Sequence, residues 1–124
     1  MGRAVVHFEI IGSDPAALRG FYGALFGWDF QVGDATTDKV SRPGEYGFVS
    51  SAGDGIAGGI GGGEGFEPRV LFYVGVPDVD ATLRKAENLG GKRAMGPARD
   101  PERDFAVGHI IDPEGNLIGV AGPF

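Results

Sequence analysis

The chain has no cysteine. That excludes disulfides, thiolate nucleophiles and cysteine-held metals. It also lacks a basic excess: 11 Lys and Arg stand against 17 Asp and Glu, a formal net charge of −6. A nucleic-acid surface needs clustered cations to neutralise phosphates, so nucleic acid is not an expected partner. Anionic membrane surfaces are disfavoured for the same reason. No apolar run approaches the roughly 20 residues of a spanning helix. The opening "MGRAVVHFEIIGSD" has no signal-peptide core, because His7 and Glu9 interrupt it, and a cytoplasmic location is expected. There is no G-x-S-x-G elbow, no phosphate-binding Walker loop and no H-E-x-x-H. With 124 residues, 42% of them hydrophobic, one globular domain is the natural expectation.

Glycine is abundant, at 24 residues. Gly53-Asp54-Gly55-Ile56-Ala57-Gly58 even matches G-x-G-x-x-G. A dinucleotide turn needs a strand before it and a helix opening on its last glycine. Here more glycine follows and no helical stripe, so the coenzyme reading fails. Asp54-Gly55 reads as a hairpin turn instead.

Apolar periodicity gives the elements. "AVVHFEII" (4–11) is a strand with Val6, Phe8 and Ile10 on one face and Val5, His7, Glu9 and Ile11 on the other. A helix follows, capped by Asp14, with Pro15 in its first turn, an inner stripe of Leu18, Phe21, Tyr22 and Leu25, and a stop at Gly27. Residues 28–32, 45–51 and 55–62 read as strands, and 33–44 as a loop. The pattern then restarts: a strand over 69–76, a helix over 77–91 capped by Asp78 with Leu83 and Ala86 inside, a short strand over 92–96, a loop "PARDPER", and strands over 104–111 and 116–122. "DPEG" (112–115) turns between the last two. The order is βαβββ twice, and "PAALRGFYGALFG" and "DATLRKAENLGG" are weakly similar, as in an internal duplication.

Three segments carry a resemblance: "HFEI…D…LRGFYGALFGW", "FYVGVPDVDATLRKAENLGGK" and "IIDPEGNLIGV". Over nearly the whole chain it resembles the glyoxalase / bleomycin-resistance / extradiol-dioxygenase superfamily, the vicinal oxygen chelate proteins. The resemblance implies an α+β fold of two paired βαβββ modules, with a cupped, mostly antiparallel sheet and helices on its outer face. It implies one domain over 1–124, with module 1 at about 4–62 and module 2 at about 69–122 joined by a Gly-rich hinge. It also implies a homodimer and one small-molecule site.

Enzymes of this superfamily hold a divalent metal with four side chains from the first and last strands of each module. Carried over position by position, the four fall on His7, near Gly58, on Leu71 and on Gly119. His7 is the only match. A catalytic metal needs about three N or O ligands and an open position, so no cofactor is expected; a divalent metal is the alternative, by rescue from Glu9, Glu45, Glu64 or His109. The expected ligand-binding residues are His7, Glu9, Trp28, Phe48 and Tyr73, with His7 also the candidate catalytic residue. For each, ordinary core packing or local pairing is the competing reading, and His109, Asp112 and Glu114 read as structural. The expected function is binding of an apolar or aromatic small molecule without the usual metal. The alternative is a metal-dependent or His-based lyase, isomerase or dioxygenase with a rearranged site.

Overall fold

A computed structural model describes residues 2–50, 54–100 and 102–123. Ten elements follow in the order β1 (Val5–Gly12), α1 (Pro15–Phe26), β2 (Gln31–Gly33), β3 (Tyr46–Val49), β4 (Ala57–Gly62), β5 (Arg69–Gly75), α2 (Val79–Asn88), β6 (Lys92–Asp100), β7 (Phe105–Ile111) and β8 (Leu117–Pro123). This is βαβββ twice, a mixed α+β fold. Contacts divide the chain into two compact units, residues 7–70, and residues 71–123 with 2–6. In the first run the strands pair in the order β2-β3-β4-β1, and in the second β6-β7-β8-β5. Each run has one parallel ladder, β1 with β4 or β5 with β8, and two antiparallel ones.

The helix ends follow the sequence signals. Asp14 accepts a hydrogen bond from the Ala17 amide at 3.1 Å, Pro15 opens α1, and Gly27 ends it in the left-handed conformation, φ 72°. Asp78 accepts from the Ala81 amide at 2.9 Å. α2 stops at Leu89, one residue before the glycine pair. At the last turn, Asp112 Oδ1 accepts from the Glu114 and Asn116 amides, both at 2.9 Å. The hydrogen bonds from Asn116 hold the Asp112 carboxyl below the usual carboxylate range. Residues 51–53, which hold the last residue of the strand expected over 45–51 and Gly53 of the G-x-G-x-x-G match, lie outside the described residues.

Packing of α1 departs from the expected stripe. Leu18 and Tyr22 are half-buried, but Phe21 is 60% and Leu25 58% exposed. The helix lies over glycines: a Cβ at Gly12 would come within 2.8 Å of Leu18 Cδ1. Contact with the strands is therefore close but narrow, and the flanking apolar residues stay outside it. In α2 the expected Leu83 is buried, together with Val79, against Ala106 and Val120, and Ala86 is half-buried. On the opposite face of the same strands Leu71, Tyr73, Val107 and Ala121 form a second cluster.

Strand β6 is longer than the expected 92–96, because "PARD" continues it beside β7. Its register shifts between Met95 and Ala98. Pro97 stands inside that irregularity, where a missing backbone donor costs no ladder bond.

Replacing Asp14 with Ala removes the side-chain acceptor that meets the Ala17 amide at the α1 N-terminus. Asp14→Ala is expected to cost about 1 kcal/mol of stability, read as a lower urea midpoint at unchanged slope.

Candidate functional site

Strand alternation puts His7, Glu9 and Ile11 on one face of β1 and Phe8 and Ile10 on the other. The parallel register sets His7 beside Ala57 and Glu9 beside Gly59. On β3, Phe48 pairs with the same Gly59, so Glu9, Gly59 and Phe48 form one row. Tyr46 stands two residues before Phe48 on the same face. Its ring runs diagonally across β4: a Cβ at Gly59 would lie 2.1 Å from Tyr46 Cε1, and one at Gly61 would lie 2.5 Å from Cδ2. Only glycine at these positions lets the ring reach β1.

There the Tyr46 hydroxyl meets two polar groups. It donates to Glu9 Oε1 at 2.8 Å and lies 2.9 Å from His7 Nε2. Glu9 and Tyr46 are each 2% exposed, while His7 is half-buried. Phe48 packs on Tyr46, with ring centroids 4.8 Å apart. Desolvation by burial pushes the His7 imidazole below its ordinary 6.5, so it is neutral at pH 7. The phenol proton goes to Glu9, and which group donates in the His7 contact depends on the imidazole tautomer.

The second unit repeats the device with different partners. Tyr73 on β5 and His109 on β7 both pair with Gly119 on β8. The Tyr73 ring lies over Gly119, where a Cβ would come within 2.4 Å of Cδ2. Its hydroxyl is 2.7 Å from His109 Nε2. His109 is 2% exposed.

Of the residues expected from sequence, His7, Glu9 and Phe48 therefore share a face. Trp28 does not join them. It packs on Phe8, the neighbour that points the other way from His7, at 5.1 Å, and on Tyr22 and Phe26 at 5.9 and 5.1 Å. Trp28 precedes β2, so strand alternation could not place it. Tyr73 belongs to the second unit, with His109. Tyr46 was missed by the sequence reading. The signal for it was a Tyr in the alternating "EYGF" opposite glycines two apart in "GGIGG".

A divalent metal does not fit the donors present. Among the described residues no three of His, Asp or Glu gather as a metal-binding group. Gly58 also points away from His7, since its Cβ would lie 2.1 Å from the Phe8 ring. Gly59 is the residue on the His7 face, and it is covered by Tyr46. Leu71 is buried in an apolar cluster, and Gly119 is covered by Tyr73. Glu45 and Glu64 line a different groove of about 510 Å³ with Ser13, Asp14, Arg42 and Gly63.

A family model described as a glyoxalase-like domain matches residues 7–121. The chain is 33% identical over 115 residues to the candidate glyoxylase CFP32 of Mycobacterium bovis and of Mycobacterium tuberculosis. The match covers 87% of this chain and 41% of those proteins, so the chain spans about two fifths of the curated relatives it matches. Among solved structures, methylmalonyl-CoA epimerase from Mycobacterium tuberculosis is similar with a TM-score of 0.70 at 16% identity, over 97% of this chain and 87% of that one. A variant of the Streptomyces coelicolor methylmalonyl-CoA epimerase, in complex with 2-nitronate-propionyl-CoA, is similar with a TM-score of 0.68 at 16% identity, over 98% and 94%. At such identity the structures share the fold.

Two expectations follow from this geometry. Gly119→Ala drives a methyl into the Tyr73 ring and is expected to lower stability by about 1–3 kcal/mol, read by urea unfolding. For pH, the folded state resists protonating His7 while the unfolded chain takes a proton near 6.5. Stability is then complete above pH 6.5 and is lost as pH falls from 6.5 toward the folded value. His7→Gln should flatten that part of the stability curve; an unchanged slope would contradict the assignment.

Proposed function

Because this chain belongs to the glyoxalase-like domain family, we propose that it binds an apolar or aromatic small molecule at the face of β1, β3 and β4 that carries His7, Glu9 and Phe48, without the family's divalent metal. The observation that carries this reading is the His7–Tyr46–Glu9 chain of hydrogen bonds. Burying a carboxylate is costly unless its charge is met by donors. Here a phenol meets it and ties it to a half-buried imidazole. Small-molecule sites combine apolar walls with a few fixed polar groups of this kind. The donor count supports the metal-free part: His7 and Glu9 are two ligands where about three are needed.

A second reading rests on the same chain of bonds. A neutral imidazole backed by a buried carboxylate suits proton transfer, because the carboxylate stabilises the imidazolium that forms. His7 would then be the general base of a lyase or isomerase, and the epimerases that share the fold keep this reading open. A homodimer in the cytoplasm, with no nucleic acid or membrane as partner, belongs to the same proposal. The net charge of −6 and the exposed Phe21 and Leu25 of α1 support it.

Native mass spectrometry on freshly isolated protein tests these claims together. The expected result is a dimer carrying a small molecule and less than one metal ion per chain. Stoichiometric Ni, Zn, Fe or Mn would overturn the metal-free reading. His7→Ala should weaken calorimetric binding of the co-purified molecule by about tenfold or more, the loss of a charge-assisted or well-formed hydrogen bond. Equal affinity in the variant would leave His7 a structural residue.

A further inference from the structure

Arg84, Arg93 and Arg103 pair with carboxylates. Arg19 and Arg42 donate to the backbone carbonyls of Glu45 and Glu64. Arg69, the first residue of β5, differs from them. Its Nε and Nη2 are buried and meet no hydrogen-bond partner among the described residues. Carboxylates are not scarce in this chain, since 17 Asp and Glu stand against 11 Lys and Arg. A guanidinium cannot shed its charge as a buried lysine or histidine can. A buried donor without an acceptor forfeits its hydration, and a charged one forfeits most.

We propose that the Nε–Nη2 edge of Arg69 is a binding site for an oxyanion, the carboxylate or phosphate group of a small molecule. These two nitrogens form one side of the guanidinium fork. Their N–H bonds run side by side, at the spacing of two oxygens on one carbon or phosphorus. One such group meets both orphaned donors and the charge together. A lone carbonyl or hydroxyl would meet one donor and leave the charge unanswered. The position suits this use. Val70, the next residue, is 70% exposed, so alternation turns the Arg69 side chain to the opposite, covered face of β5. Away from water, a charge-assisted pair is stronger than on an open surface. The residue as a whole is half-buried, so the edge lies within a side chain's length of solvent. The site draws on none of His7, Glu9 and Tyr46, and it stands or falls apart from the reading of the β1 face.

The experiment follows the Arg69 Nε–H signal in ¹H–¹⁵N spectra of the wild-type chain, assigned through its own backbone amide. Sodium benzoate and sodium phosphate are titrated separately, against sodium chloride at constant ionic strength. At least one of the two is expected to shift that signal saturably, while chloride is not. A response to benzoate alone assigns a carboxylate, and one to phosphate alone a phosphate group. A response to both supports the oxyanion site as stated. Arg69→Lys keeps the charge but loses the fork, and should bind the active anion about tenfold more weakly or worse by calorimetry. In the wild type that anion should also raise the urea midpoint above the chloride control, and in Arg69→Met this gain should vanish. No saturable shift with either anion, an equal shift with chloride, or undiminished affinity in Arg69→Lys would each overturn the proposal. If the variants do not fold, the wild-type titration still decides.

Discussion

Strand β4 has almost no side chains, and the first unit is built around that. "AGGIGG" leaves a bare strip of backbone between β1 and β3. Phe8 lies against it from one face at Gly58, and Tyr46 from the other at Gly59 and Gly61. Glycine inside a strand is unfavourable by roughly 0.5–1 kcal/mol relative to Ala. Burying an aromatic ring returns about 1.5–3 kcal/mol, so the exchange favours the glycines as long as rings cover them. The second unit uses the same exchange at Gly119 under Tyr73, and at Gly108 under Leu83. Part of a glycine content that first reads as turns and looseness is a packing device.

The polar chemistry follows from the ring placement. A phenol carried across a glycine strip delivers its hydroxyl to the far strand. In the first unit it finds Glu9 and His7, and in the second His109. Glu9 is tolerated in a buried position because the phenol donates to it. His7 stays neutral because burial opposes its charge. Burial thus holds the imidazole neutral, and the phenol beside it holds its Nε2 side. The covered glycines are also the positions where the family resemblance expects metal-holding side chains. Packing and the loss of those donors are two sides of one arrangement.

Much of the fold was legible in the sequence because the signals were local. Asp14, Pro15 and Gly27 marked α1, Asp78 marked α2, and "DPEG" marked the last turn. Period-two alternation placed His7 and Glu9 on a common face. Errors arose where a local pattern had to predict a tertiary partner. Phe21 and Leu25 have helical spacing with Leu18, yet lie outside the narrow contact. Trp28 follows a helix end, where alternation assigns no face, and it packs on Phe8. Gly58 stood in for Gly59 because an unaligned strand leaves the register open by one residue, and one residue changes the face.

The sequence by itself determined the βαβββ repeat, the caps and turns, the absence of cysteine chemistry, and His7 and Glu9 as neighbours two residues apart. These depend on interactions within a few residues, which spacing encodes directly. Tertiary structure alone decided that Tyr46, 39 residues from His7, completes the polar chain, and that Tyr73 does the same for His109 across 36. Each of those contacts depends on the register of three strands and on a glycine in the middle one. No linear spacing records which ring will lie over which gap.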